Sequence, residues 1–157
     1  TKMGDQLTTE SVWDEIERNN FAVLGMVTAW HQARTVGIVY VVDDRRFYVG
    51  AGRDQWKIKH IAQNGDVSMT IPIARRVPWV KIPAATITFS GTAQILEEEQ
   101  LADALFEKLY RHDADRSGWC AIEVTPQRHF VTYGIGVSLW AMRSPERARA
   151  RVPVGFD

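Results

Sequence analysis

Apolar and polar positions follow two different periods along this chain, and the points where one gives way to the other divide it into elements. The first segment is helical. Val12, Trp13 and Ile16 make an apolar stripe, Thr8 or Thr9 can cap the start, and Glu10, Asp14 and Glu15 suit the positive N-terminal end, with Asn19 and Asn20 closing it. The period then becomes extended. Residues 21–30 are a largely apolar run of strand length, and 34–42 are a β-branched run ending at Asp43-Asp44-Arg45, a hairpin signal beyond which Phe47-Tyr48-Val49 continues. Helical spacing returns after residues 50–54, with Ile58, Ile61 and Ala62 on one face and Asn64-Gly65 as the stop. Residues 66–73 alternate as a fourth strand, 74–84 carry three prolines and read as a loop, and 85–96 read as a strand with a bulge or bend at Gly91. Glu97-Glu98-Glu99 opens the clearest helix, in which Leu101, Leu105, Phe106 and Leu109 recur at helical spacing. Cys120–Val124 and His129–Tyr133 predict a closing pair of strands around a turn at Pro126-Gln127, and the tail 141–157, proline- and arginine-bearing from Ser144, is expected on the surface.

Six or seven short strands joined by short turns, with about three helices, do not fit a parallel sheet, which needs a crossover helix between strands. They fit a mainly β (α+β) fold, an antiparallel barrel closed or nearly closed on itself. At 157 residues the chain is expected to be a single domain over 1–157, with a core at 9–140.

Charge and cysteine content narrow the function classes. Lys plus Arg and Asp plus Glu balance at 19 each, so the overall basic charge of a generic nucleic-acid binder is missing. Only the tail arginines Arg143, Arg147, Arg149 and Arg151 could form a basic patch. The single cysteine, Cys120, cannot form an intramolecular disulfide. His31, His60, His112 and His129 do not fall at metal-ligand spacing with it or with each other, so no metal is expected. With no signal peptide and no apolar run of membrane-spanning length, the expectation is a cytoplasmic protein without a membrane partner.

The stretch 34–72 carries the candidate chemistry. It sets a strand bearing Arg34, a hairpin, a second strand, a loop with Gly50 and Gly52, and a helix whose first turn holds Lys57. Free amides at a helix start point at an anion, glycines let the backbone approach closely, and lysine and arginine add a point charge and a forked donor. The same pattern is also that of an ordinary solvated loop before a helix.

The order of elements resembles the pyridoxamine-phosphate-oxidase-like family of flavin-binding split barrels over about residues 9–140. The likeness is strongest at Arg34–Tyr40, Phe47–Gly52, Lys57–Ile71 and Phe89–Leu96. The resemblance implies a homodimer with cofactor at the subunit interface, acting on a small molecule as a flavin-dependent oxidoreductase. It places Lys57 and Arg34 on the cofactor phosphate, the backbone of Thr35, Val36, Gly37 and Val39 along the flavin ring edge, and Gly50 and Ala51 against ring and phosphate. Many members begin the helix with Ser-Arg-Lys. Here it is Gln55-Trp56-Lys57, which leaves Trp56 beside the site and Arg53 as the substitute for the missing arginine. Trp79 and Trp140 could stack on a ring or close the pocket from the partner subunit, or simply fill a core or interface. The C-terminus lacks the family's vitamin-substrate signature, so the chain is similar instead to the small flavin or deazaflavin reductases that share the barrel. FMN is the expected cofactor. The deazaflavin coenzyme F-420 is the alternative, its acidic tail meeting Arg75, Arg76, Lys81 or Arg143; haem is a lesser one. No general acid or base is required, because hydride chemistry belongs to the cofactor. A non-catalytic flavin- or haem-binding protein, or a barrel that has lost its cofactor and serves as a dimeric interaction module, are the rival readings.

Overall fold

The computed structural model describes residues 7–74, 84–110, 117–138 and 140–155. Trp79, Arg75, Arg76, Lys81 and His112 lie outside the described residues. Helix α1 (Thr9–Glu17) starts on a reciprocal cap in which the Thr8 hydroxyl accepts from the Ser11 amide at 3.1 Å and the Ser11 hydroxyl accepts from the Thr8 amide at 3.0 Å. Its buried stripe is Val12, Trp13 and Ile16, as the spacing predicts.

The strands that follow are β1 (Phe21–Val27), β2 (Ala33–Val39), β3 (Val41–Asp43) and β4 (Arg46–Gly52). Helix α2 (Trp56–Gln63) precedes β5 (Asp66–Ile73) and β6 (Ala85–Leu96). After them come α3 (Asp103–Leu109), β7 (Trp119–Tyr133), α4 (Pro145–Ala148) and β8 (Arg149–Pro153). The order across the sheet is β2-β1-β5-β6-β7-β4-β3, with β8 beside β7, and every pairing is antiparallel. The β3–β4 hairpin turns at Asp44 and Arg45, both at positive φ (48° and 56°), the conformation a two-residue hairpin needs.

The 34–42 run is two strands rather than one. Only Tyr40 separates β2 from β3, yet these strands stand at opposite ends of the sheet order, so the sheet curls until its two edges meet. Tyr40 pins that junction: its hydroxyl donates to the Ile16 carbonyl at 2.7 Å and its amide to the Asn20 carbonyl at 2.8 Å. The result is a barrel with a seam between β2 and β4, a split barrel, and its interior is filled by alternate residues of each strand. Phe47 stacks on Phe89 at 4.9 Å, and Trp13 and Phe89 each meet Phe130 edge-on at 5.2 and 5.4 Å.

Four further expectations need correction. Residues 120–133 form one continuous strand, β7, without a turn at Pro126-Gln127. The turn chemistry there serves a bulge: the β6–β7 register slips between Thr88 and Ser90, opposite Arg128 at φ 63°. Gly91 is not the irregular position; its missing Cβ makes room for the Thr125 carbonyl, 2.8 Å from where that atom would be. The tail is not a surface appendage. It supplies the eighth strand and buries Met142, Ala148, Val152 and Val154, and the Val154 carbonyl accepts from the Trp13 indole at 2.9 Å. The predicted helix at Glu97 begins late. Glu97 and Gln100 close a capping box around a 3-10 turn at Glu98–Gln100, so the α-helix starts only at Asp103. Leu101, Leu105 and Phe106 are nonetheless buried, in a second cluster with Tyr48 and Ala121 on the outer face of the barrel wall. Among the described residues no helix is long and apolar enough to cross a membrane, and no group of three or more His, Cys, Asp or Glu could hold a metal.

Candidate functional site

The seam is where this fold leaves backbone unpaired. β2 is a sheet edge, and β4 pairs with β3 only over Arg46–Tyr48, so Val49–Gly52 lack a strand on that side among the described residues. Between the two edges lies a cleft of about 280 Å³, lined by Gly37 and Val39 of β2, Gly50 of β4, Lys57 of α2, and Lys108 and Tyr110 at the end of α3.

Lys57 reaches the cleft because α2 is anchored from behind. Ile58 and Ile61 are buried, whereas Ala62, expected with them, is exposed. No side chain caps the N-terminus of α2. Lys57 is half-buried, and loss of water pushes its ammonium below the usual lysine range, with the nearby Cys120 opposing. Among the described residues no carboxylate pairs with it. A lysine partly removed from water without a counter-charge is electrostatically unsatisfied, and an anion in the cleft would restore what solvent has lost.

The other candidates divide. On β2, Thr35, Gly37 and Val39 are exposed and Val36 half-buried, with Phe21 of β1 shielding Gly37: a Cβ there would come within 3.1 Å of the Phe21 ring. The Arg34 guanidinium lies over the Trp56 indole at 5.5 Å, and Trp56 in turn faces His60. Arg34, Trp56 and His60 border α2 without lining the cleft. Arg53 does not turn toward Lys57. Its guanidinium pairs with Glu97 and its amide donates to Gly118 at 2.9 Å. Gly50 and Ala51 are already occupied: Tyr110 packs on Gly50, and the Ala51 amide donates to the Tyr110 hydroxyl at 3.0 Å. Trp140 is 76% exposed with Arg143 over its ring, and it does not join the cleft.

Lys108 and Tyr110 are the lining residues that sequence reasoning passes over. The apolar stripe of α3 accounts for its buried face, but nothing in the spacing says that the helix ends against β4. Tyr110 is held there by two hydrogen bonds, the second donated to the Cys120 carbonyl at 2.7 Å, and burial raises its phenol to about 12, so it is neutral at ordinary pH. Lys108 forms a loose pair with Asp43 at 3.7 Å, both side chains about half exposed.

Similar architecture recurs in solved structures of low sequence identity. A haem-binding protein from Mycobacterium smegmatis has a TM-score of 0.65 at 14% identity, over 82% of this chain and 55% of that one. A FAD-binding protein from Mesorhizobium loti has 0.60 at 14% identity, over 78% and 91%, and an F-420 reductase has 0.55 at 18% identity, over 71% and 89%. At these identities the likeness speaks for the fold alone. No curated protein matches the sequence. The profile of the pyridoxamine 5'-phosphate oxidase family, however, matches residues 8–132, from the cap of α1 nearly to the end of β7, and the chain belongs to that family of split barrels.

Proposed function

We propose that the seam cleft holds the phosphate-bearing end of FMN and that the protein is a flavin-dependent oxidoreductase acting on a small molecule. The observation that carries this reading is Lys57: a half-buried ammonium with no carboxylate partner among the described residues, in the first turn of an uncapped helix, beside the open backbone edge of β2. Lys57 and the start of α2 fit a phosphate. The unpaired edge of β2 fits the polar rim of a flavin ring, which needs both donors and acceptors. Arg53 and the Gly50–Ala51 pair do not fit as they stand, since Glu97 and Tyr110 engage them. When bound, the flavin supplies hydride or electron transfer; the chain binds it, orients it and keeps water from one face.

The reading includes a dimer. Small-molecule sites that bury most of a drug-sized ligand run to roughly 300–1,000 Å³, and the cleft is about 280 Å³. A cleft at the low end of that range suits the phosphate-bearing end, and the reading has a second copy cover the rest of the flavin. A deazaflavin of the F-420 type is the second reading. It is favoured by Lys108 at the cleft mouth and Arg34 on the bordering strand, cations beyond the one that a single phosphate requires.

Titration of the purified protein with FMN, followed by quenching of flavin fluorescence, tests the assignment. Saturable binding is expected, and Lys57→Ala should weaken it by about tenfold to a hundredfold, the usual cost of one charged hydrogen bond. Riboflavin, which lacks the phosphate, should bind more weakly and be indifferent to Lys57→Ala. Uptake of F-420 without uptake of FMN would move the assignment to the deazaflavin, and uptake of neither would end both.

A further inference from the structure

One end of the seam cleft is filled by the chain itself. Tyr110 follows the last turn of α3, and the hydroxyl end of its ring sits against Gly50 of β4: a Cβ on Gly50 would lie 2.7–2.9 Å from its Oη, Cε1 and Cζ atoms. That distance is too short for a real side chain, so position 50 admits the phenol only because it is glycine. The hydroxyl takes the Ala51 amide at 3.0 Å and gives its proton to the Cys120 carbonyl at 2.7 Å. Phe106 and Trp119 flank the ring at 4.9 and 5.0 Å. While Tyr110 is in this position, its phenol takes the space a side chain at Gly50 would fill and its hydroxyl occupies the Ala51 amide.

We infer that Tyr110 is a built-in plug of the cleft, and that a phosphate-bearing ligand seated on Lys57 reaches β4 only by driving the phenol off Gly50. The inference rests on the cofactor reading above. The plug is held by a short lever. α3 has seven residues, and no side-chain hydrogen bond caps its start at Ala102. It is fixed to the barrel wall by Leu105 and Phe106. A helix so short has little stability apart from its packing. Tyr110 itself is the C-cap, with extended backbone (φ −132°, ψ 159°), so its side chain can rotate away without dislodging the two buried residues that dock the helix. Burial keeps the phenol neutral, so release is governed by hydrogen bonds and ring contacts and not by titration.

FMN affinity of the wild-type chain, Tyr110→Phe and Tyr110→Ala tests the inference, with riboflavin as the ligand that lacks the phosphate. Removing an occupant tightens binding. Tyr110→Ala should bind FMN about tenfold more tightly than wild type, because neither the two hydrogen bonds nor the ring contacts are broken on entry. Tyr110→Phe, which keeps the ring and loses both bonds, should fall between. Without ligand, amide exchange at Ala51 should be faster in Tyr110→Phe than in wild type. Weaker or unchanged FMN binding in Tyr110→Ala would overturn the plug and make Tyr110 a wall of the site, while leaving the flavin reading intact because binding is still seen. Unchanged Ala51 exchange in Tyr110→Phe would also overturn it. Absence of FMN uptake by all three chains would remove the plug and the flavin reading together. If Tyr110→Ala does not fold, Tyr110→Phe carries the comparison.

Discussion

The barrel interior and the seam are made from the same strands, yet they are closed by different means. Along β4, Phe47, Val49 and Ala51 point inward and are at most 2% exposed, while Tyr48 and Gly50 point outward to α3 and the cleft. The inward set is satisfied by apolar contact alone. The outward set is finished by polar groups borrowed from distant segments: Tyr48 donates to Glu123 at 2.9 Å, and Tyr110 spans Ala51 and Cys120. An interior closed by close packing has one arrangement. A seam closed by a few hydrogen bonds can exchange them for a ligand's.

If that contrast holds, the largest effect on folding comes from the interior and leaves the cleft untouched. Phe130 is fully buried and meets Trp13 and Phe89 edge-on. Phe130→Ala should lower unfolding free energy by about 3–5 kcal/mol in denaturant titrations, through lost burial and a residual cavity. The fraction that remains folded should bind FMN with unchanged affinity. A large drop in that affinity would show that interior and seam are one cooperative unit.

The contrast also explains what the sequence makes legible. A period of two shows which side of β5 is buried and helical spacing shows the Val12-Trp13-Ile16 stripe, while the apolar run of β1 marks it as a strand without naming its buried side. The place of Lys57 in the first turn of α2 is readable as well, because a helix start after glycines is a local signal. The errors fall where local chemistry and long-range pairing diverge. Pro126-Gln127 looks like a turn, but β6 pairs straight past it and the strain is absorbed at Arg128. The tail from Ser144 looks like solvent-facing charge because arginines alternate with small residues; β7 nonetheless offers it a partner strand and Trp13 an indole donor. Tyr110 is 60 positions from Gly50, and no periodicity reports that their atoms touch.

A smaller effect, confined to the seam, is expected from Lys57→Ala. It should cost about 1.5–3 kcal/mol of FMN binding while leaving thermal unfolding of the ligand-free chain nearly unchanged or slightly improved, because the substitution removes a partly desolvated charge. A loss of stability without ligand comparable to that of Phe130→Ala would mean that Lys57 is structural. The pH dependence follows with opposite signs in the two states. Burial lowers Lys57 below its ordinary value, so in the ligand-free fold the charged form is disfavoured, and stability rises as pH climbs through that lowered value toward about 10.4, the ordinary lysine value. Bound phosphate favours the charged form, so FMN affinity falls over the same range. Lys57→Met should flatten both profiles.

The smallest effect tests how firmly the seam's hydrogen bonds are committed. Arg53 and Glu97 form a pair whose side chains are 47% and 45% exposed, and such pairs contribute roughly 0–1 kcal/mol. Glu97→Gln removes the charge but keeps an oxygen able to accept from the Gln100 amide, so the capping box before α3 survives. Freed of its partner, Arg53 stands four residues ahead of Lys57, where a forked donor could join the phosphate. FMN affinity should therefore rise by less than about fivefold in Glu97→Gln, and Arg53→Ala should erase the gain while changing little on the wild-type background. If Arg53→Ala alone weakened FMN binding as much as Lys57→Ala does, the pair with Glu97 would be a resting arrangement that the ligand breaks. Arg53 would then belong to the phosphate site, and the seam would have two releasable contacts, Arg53–Glu97 and Tyr110–Ala51.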